Sequence, residues 1–144
     1  MNIRNATYHD APAIKELLEQ MNCTTRLSTL VDQLERFFNK NDHQVFICEL
    51  RKEVIGFSVV HYLPQLAFDG GIAIISYLCI DDQHKNSGID KELEQHISNQ
   101  AKIKKCERVQ MHCMDWRVSA HQFYVHQGYQ EYPKYFIKRL TYGE

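Results

Sequence analysis

The residues with the clearest chemical meaning connect an apolar run to an amphipathic helix. Ile72 to Ile80 is almost continuously apolar, and it is followed by Asp81-Asp82-Gln83-His84-Lys85-Asn86-Ser87-Gly88-Ile89-Asp90-Lys91. A helix that begins after Gly88 presents unpaired backbone N–H groups and the positive end of its dipole, which together attract anions. Lys85, Asn86, Ser87 and Gly88 could wrap a pyrophosphate with amides and add a cation. The segment alone fits equally well a helix capped by Ser87 that binds no ligand.

The elements that position this loop follow from periodicity and turn residues. A short strand near the N-terminus precedes two amphipathic helices, and a β-hairpin spans Val45 to Leu63. A strand as apolar as Ile72 to Ile80 is predicted to be buried on both faces and central in its sheet. A helix, a strand from Glu107 to Met114, a short helix ended by Gly128 and a last strand from Tyr135 to Leu140 complete the order.

This order predicts an α/β (α+β) fold with a mixed central sheet and helices on both faces. The strand–helix–strand unit from Ile72 to Met114 should form a parallel pair, because two strands joined by a helical crossover run in the same direction. The other strands should pair antiparallel. With 144 residues, the chain fits a single domain over residues 1–144.

Two segments in this order resemble the GNAT superfamily of acetyl-CoA-dependent N-acetyltransferases. Lys85 to Asp90 is similar to the acetyl-CoA loop, with the central Gly88 and aliphatic Ile89 kept, but with Lys85 for Arg or Gln and Asp90 for Gly or Ala. About 30 residues later, Arg117 to Tyr129 is similar to the "AxxFYxxxGF/Y" helix. That helix is also distantly similar to the one in aminoalkylphosphonate N-acetyltransferases.

The resemblance implies a mostly antiparallel GNAT-like sheet with one parallel, splayed strand pair, and a site for acetyl-CoA in the gap. The pantetheine arm would pair with the backbone of Leu78, Cys79 and Ile80, where an N–H polarises the acetyl carbonyl. Arg117 would hold an adenosine phosphate or an anionic substrate. The loop that would bind the pyrophosphate comprises Lys85, Asn86, Ser87, Gly88, Ile89, Asp90 and Lys91.

Two catalytic residues are predicted. The resemblance implies that Tyr124 protonates the departing CoA thiolate, and a phenol of pKa about 10 is reasonably matched to a thiol of pKa about 8.5. An attacking amine must lose a proton, yet Ile74, Ser76 and Tyr77 occupy the region where many relatives carry a Glu. His112 is the predicted base. His61, Asp115 and water are alternatives.

The net charge and the cysteines of the chain indicate which classes of partner and which compartment to expect. A formal net charge of −1 gives no basic footprint for nucleic acid or an acidic membrane. Five cysteines without a CxxC pair are typical of reduced thiols, so we expect a cytoplasmic protein with no metal site and no signal peptide. His112, Cys113 and Asp115 do not suggest a metal site, because adjacent strand residues point to opposite faces.

The sequence thus predicts an N-acetyltransferase that transfers the acetyl group of acetyl-CoA to a primary amine, by direct attack, on a small-molecule acceptor. The acceptor pocket should come from the first two helices and the loop from Pro64 to Gly71. The resemblance also allows a homodimer. The alternative is a GNAT-fold module that binds CoA without turnover, which Asp90 and the missing carboxylate motivate.

Overall fold

A computed structural model describes residues 1–112, 118–132 and 135–141, which belong to two compact units, Met1–His112 and Cys113–Glu144. The first unit contains five strands: β1 (Asn2–Asn5), β2 (His43–Leu50), β3 (Glu53–Leu63), β4 (Ile72–Ile80) and β5 (Arg108–Met111). Its helices are α1 (Ala11–Gln20), α2 (Leu27–Phe38) and α3 (Ile89–Ile103), with short 3-10 turns at Tyr8–Asp10 and Asp82–His84. The second unit contains α4 (Val118–His126).

The five strands form one sheet in the order β1-β2-β3-β4-β5. The first three pairings are antiparallel, and β4 pairs with β5 in parallel. The predicted mixed sheet with a single parallel pair around the α3 crossover is therefore confirmed.

Helices cover both faces of the sheet, as predicted. On one face α1 and α2 pack over inward-facing residues of β2 and β3 such as Ile47 and Phe57, both at most 1% exposed. On the other face Leu93 and Ile97 of α3 pack on Val60, and all three side chains are fully buried. Side chains that alternate between the faces along each strand thus build two apolar cores.

The strand β4 differs in its two halves, so the prediction that it is buried throughout is wrong. Ala73 and Ile75 are buried, whereas Ser76 is exposed and Tyr77 is 40% exposed. Within residues 1–112, β5 pairs with β4 only from Ile72 to Ile75. Beyond Ile75, β4 therefore has no strand neighbour on this side within residues 1–112, although Cys79 is buried.

The predicted strand from Tyr135 to Leu140 is also wrong. The structure describes residues 135–141 without strand pairing, and Phe136 is 97% and Leu140 88% exposed. Strand-forming side chains stabilise a strand only when they pack against a partner. The predicted Glu107–Met114 strand is shorter, ending at Met111, and its positions 113–114 lie outside the described residues.

In the part of the chain that the structure describes, no helix has the length and apolar character needed to cross a membrane.

Candidate functional site

A bulge bends β4 where its pairing with β5 ends. Val59 pairs with Tyr77 and Val60 with Ile75, so Ser76 is an extra residue on β4. The hydroxyl of Ser58 donates to the carbonyl of Tyr77 over 2.7 Å, and Ser58 is fully buried. A bulge of this kind interrupts the regular pairing of the two strands and changes the direction of the bulged strand.

Beyond the bulge, the edge of β4 that faces away from β3 has no strand partner within residues 1–112, and we call it the open edge. The N–H of Asp81 donates to the carbonyl of Ile55 on β3 over 2.8 Å. Backbone groups alternate sides along a strand, so Cys79 also faces β3, while Leu78 and Ile80 direct N–H and C=O away from it. Since β5 pairs no further than Ile75 in residues 1–112, this edge can accept an extended ligand as a further strand.

The loop after β4 is fastened to α1. The side-chain amide of Gln20 donates to Asp81 Oδ1 over 2.8 Å, and its carbonyl oxygen accepts the N–H of Asp82 over 2.9 Å. His84 Nδ1 lies 2.9 Å from Asp81 Oδ2. The hydrogen bonds from Gln20 and His84 lower the pKa of Asp81, so this carboxylate stays charged and holds the loop at neutral pH.

The chain enters α3 through two residues with left-handed backbone. Asn86 has φ 66° and Gly88, at the N-cap position, has φ 84°. Ser87 donates its hydroxyl to the carbonyl of His84 and does not cap the helix. Gly88 therefore sets the start of α3, and the first-turn N–H groups have no capping side chain from the N-cap residue.

Asp90 uses one of these N–H groups. Its Oδ1 accepts the N–H of Lys91 over 2.9 Å, which places a negative charge in the first turn of α3. The nearby cation of Lys85 pairs with Asp82 over 2.9 Å. Both contacts oppose an anionic ligand at this loop, because one occupies a donor and the other neutralises a cation.

A cavity of about 450 Å³ lies between the first two helices and the sheet. Its floor contains Phe57, Val59 and Tyr77, and α1 and α2 contribute Ile14 and Phe37. The lining that residues 1–112 provide contains no acidic, basic or histidine side chain. The predicted loop from Pro64 to Gly71 does not line it. The polar residues of the lining are Cys23, Thr24, Thr25, Thr29, Gln33 and Tyr77.

Two histidines and a serine form a continuous chain of contacts across three strands. His61 Nε2 on β3 lies 2.7 Å from Ser76 Oγ, and His61 Nδ1 lies 2.8 Å from His43 Nδ1 on β2. The ring of Phe37 lies 5.7 Å from that of His61 and 5.0 Å from that of His43. Burial and the neighbouring His43 lower the pKa of His61, which keeps this imidazole neutral and able to accept a proton.

The predicted catalytic residues lie in different units. His112 is exposed and directly follows Met111, the register partner of Ile75. Because the bulge residue Ser76 directly follows Ile75, the backbone of His112 is level with the bulge. Tyr124 is half-buried on α4, where its ring meets Phe123 at 5.1 Å and Tyr129 at 5.6 Å.

The end of α4 matches the prediction. Tyr129 donates to the carbonyl of Tyr124 and Gly128 to that of Val125, which is a Schellman ending with Gly128 at φ 95°. Arg117 and Asp115 lie outside the described residues.

Sequence reasoning named His61 only as an alternative base and missed its contacts. His61 is 18 residues from His43 and 15 from Ser76, and no motif links them. The pairing of three strands and the bulge at Ser76 bring them together. A hairpin register worked out from the alternation of β2 and β3 could have placed His43 opposite His61.

Solved structures show the same fold at low sequence identity. A transcriptional regulator from Bacillus halodurans C-125 has a TM-score of 0.88 at 18% identity, covering 96% of this chain and 99% of its own. A glucosamine-6-phosphate N-acetyltransferase from Arabidopsis thaliana has a TM-score of 0.83 at 17% identity, with coverages of 97% and 98%. An aminoglycoside acetyltransferase from an uncultured soil metagenomic sample has a TM-score of 0.82 at 23% identity, with coverages of 97% and 96%.

Sequence comparison identifies the family. No curated protein matches the sequence significantly. The sequence model of the Acetyltransferase (GNAT) family matches residues 11–129, which include the open edge of β4, the loop before α3 and the helix α4. The chain belongs to the acetyltransferase (GNAT) family.

Proposed function

We propose that this protein transfers the acetyl group of acetyl-CoA to a primary amine on a small molecule. The observation that carries the proposal is the open edge of β4, where Leu78 and Ile80 direct their backbone groups away from β3. The loop that follows this edge ends at the N-terminus of α3, so consecutive segments of the chain offer a strand partner for pantetheine and N–H donors for pyrophosphate.

The roles in the reaction follow from chemistry. The neutral amine nitrogen attacks the thioester carbonyl, a C–N bond forms and the C–S bond breaks, and the nitrogen loses one proton as the CoA sulfur gains one. A backbone N–H of Leu78 or Ile80 would stabilise the oxyanion. The CoA thiolate takes one proton, which we assign to Tyr124. The sequence proposes His112 as the base for the amine, with His61 among the alternatives.

The residues that would hold the cosubstrate are those of the predicted site. Within the predicted segment Leu78, Cys79 and Ile80, the backbone groups of Leu78 and Ile80 would pair with the pantetheine arm while Cys79 faces β3, and Arg117 would take an adenosine phosphate. The loop from Lys85 to Lys91 would take the pyrophosphate. Its left-handed residues Asn86 and Gly88 support this proposal, whereas the carboxylate of Asp90 weakens it.

The cavity supports a small acceptor with an uncharged body. Its volume of about 450 Å³ is within the range of small-molecule sites. Phosphonates and polyamines need a charged partner once they leave water, and the lining from residues 1–112 provides none. An amine on an apolar body fits this lining better.

The experiment is a thiol-release assay with acetyl-CoA and four amines: 2-phenylethylamine, spermidine, 2-aminoethylphosphonate and a lysine peptide. We expect the highest kcat/KM for 2-phenylethylamine. Turnover of the phosphonate or the polyamine alone would contradict the assignment of the acceptor. Binding of acetyl-CoA without turnover of any amine would favour the non-catalytic CoA-binding module.

The thiols support a reducing, cytoplasmic location. Cys48 and Cys79 are free and buried, and burial raises the pKa of each to about 12. Such thiols are unreactive and need no disulfide partner.

A further inference from the structure

The contact chain Ser76–His61–His43 begins beside the cavity. Ser76 is exposed at the bulge, and the next residue, Tyr77, forms part of the cavity floor. Leu78, two residues after Ser76, is the first residue beyond the bulge whose backbone groups point to the open edge of β4. Ser76 is therefore next in the chain to the floor of the proposed acceptor site and two residues before the proposed acetyl site.

The nitrogen–nitrogen contact restricts where protons can be. Only one proton can occupy the bridge between His61 Nδ1 and His43 Nδ1, because two N–H groups would face each other. When His61 holds that proton, its Nε2 is free to accept the hydroxyl proton of Ser76. His61 can then take a second proton at Nε2 while its Nδ1–H still donates to Nδ1 of His43. The pair can therefore carry one positive charge but not two.

Burial and the neighbouring His43 lower the pKa of His61, so this imidazole is neutral and its Nε2 can accept a proton. The side chains nearest to His61 are Phe37 from α2, His43 from β2 and Ser76 from β4. Further titratable groups near the pair are Tyr77, whose pKa burial raises, His112, whose backbone follows β5 level with the bulge, and Lys40 and Lys104, which line a pocket together with His43. His43 is the neighbour whose charge acts on His61.

We propose that Ser76, His61 and His43 form a proton relay that deprotonates the acceptor amine, an inference that rests on the proposed acetyl transfer. The ammonium group gives a proton to Ser76 Oγ as the Ser76 hydroxyl proton moves to His61 Nε2. The neutral amine then attacks the thioester, and the imidazolium later releases its proton to water. Ser76 contacts the substrate, His61 acts through it, and His43 is a positioning residue.

The relay supplies what an amine needs at neutral pH. An alkylamine with a pKa near 10.4 is free of its proton in only about one molecule in 2,500 at pH 7. General-base catalysis contributes typically about 10²–10⁴-fold to such a step. Without the relay, the rate should follow the free amine and rise about tenfold for each pH unit up to the amine pKa.

The test compares pH profiles with acetyl-CoA and 2-phenylethylamine. His61→Gln keeps an amide near the position of Nε2 but cannot take up the proton. We expect kcat to fall about 10²-fold at pH 7, to recover with a slope of one toward pH 10, and the affinity for acetyl-CoA to stay within about twofold. The matched control is His96→Gln, which removes a partly buried imidazole packed on Phe46 on the other face of the sheet.

Two further variants separate a relay from a structural role. Ser76→Ala leaves both imidazole rings in place. It should lower kcat about tenfold at pH 7, and its kcat should rise with pH as steeply as that of His61→Gln. His43→Asn retains an acceptor near the position of Nδ1 and should keep more activity than His43→Phe. This order would not be expected if the ring only filled space.

The outcomes separate the relay from the proposed function. If the parent acetylates 2-phenylethylamine and His61→Gln and Ser76→Ala give profiles parallel to it, the relay is wrong and acetyl transfer stands. If His61→Gln fails to fold, the profile of Ser76→Ala decides in the same way. If the parent binds acetyl-CoA but shows no turnover from pH 6 to 10, both proposals are overturned.

Discussion

Asp90 places a carboxylate in the first turn of α3, where the proposed pyrophosphate would bind. It accepts the N–H of Lys91 over 2.9 Å, so it competes with a phosphate in two ways. It repels the anion and it occupies a donor. We expect acetyl-CoA to bind more tightly to Asp90→Gly than to the parent.

The magnitude follows from Coulomb's law for a phosphate placed next to Asp90. A phosphate charge at about 5 Å from the carboxylate costs about 3 kcal/mol at an effective dielectric constant of 20, and about 0.8 kcal/mol in bulk water. Asp90 is half-buried, so the effect lies between these limits, at roughly 4-fold to 150-fold in Kd. The cation of Lys85 offsets little of this, because it already pairs with Asp82.

The assay is calorimetric titration of acetyl-CoA into the parent, Asp90→Gly and Asp90→Asn. Asn removes the charge but keeps an oxygen that accepts the N–H of Lys91, so it isolates the electrostatic part. Gly also frees the donor, which should tighten binding by about a further fivefold. The gain in Asp90→Asn should shrink as salt rises from 0.05 to 0.5 M, because salt screens exposed charges.

Equal affinities in all three proteins would refute this reasoning. The anion would then not bind at the N-terminus of α3. Tightening in Asp90→Gly but not in Asp90→Asn would show that the donor and not the charge matters.

Three other changes test separate parts of the account. Tyr124→Phe should lower kcat about 10²-fold and leave the calorimetric Kd for acetyl-CoA unchanged, and an unchanged kcat would exclude Tyr124 as the acid. Gly88→Ala should destabilise the chain by about 1 kcal/mol in a denaturant titration, because alanine is strained at φ 84°, and it should weaken acetyl-CoA binding. Arg4 donates two hydrogen bonds to Asp10, at 2.9 and 2.8 Å, and thereby lowers the pKa of that carboxyl. This pair should therefore stabilise the fold fully above about pH 4, the unfolded pKa, and less as pH falls through the lowered pKa. Arg4→Gln should cost about 3 kcal/mol at pH 7 and flatten this acid dependence of unfolding, and a parallel pH curve would contradict the assignment.

Much of the fold could be predicted from sequence because it depends on local patterns. The apolar run Ile72–Ile80 predicted β4 with its observed bounds, and the helix predicted to begin after Gly88 is α3, which begins at Ile89. The parallel pair follows from that order. Alternation also placed helices on both faces, since the strands of the hairpin have two apolar sides.

The rest depended on contacts between distant residues. The bulge at Ser76 results from the pairing of β3 with β4, and no sequence pattern marks it. The exposure of Ser76 and Tyr77 was not predicted, because strand propensity does not fix which side chains of a strand are covered. The apolar residues from Tyr135 to Leu140 have the composition of a strand but show no strand pairing, because a strand forms only with a partner.

Only those parts of the candidate site that lie in one continuous segment of the sequence could be predicted. The loop from Lys85 to Lys91 could be recognised because its residues are contiguous. The contact between His61 and Ser76 could not, since it joins neighbouring strands across a bulge. Asp90 could be singled out as a departure from the loop motif, but its hydrogen bond to Lys91 needed the structure.

The most direct test of the central claim is a titration of the parent chain with acetyl-CoA, followed by amide formation with 2-phenylethylamine. The account predicts saturable one-to-one binding with a micromolar Kd, and stoichiometric release of the CoA thiol with the acetylated amine as product. An absence of binding in both the parent and Asp90→Gly would contradict it, because the open edge of β4 and the loop before α3 would then serve another purpose.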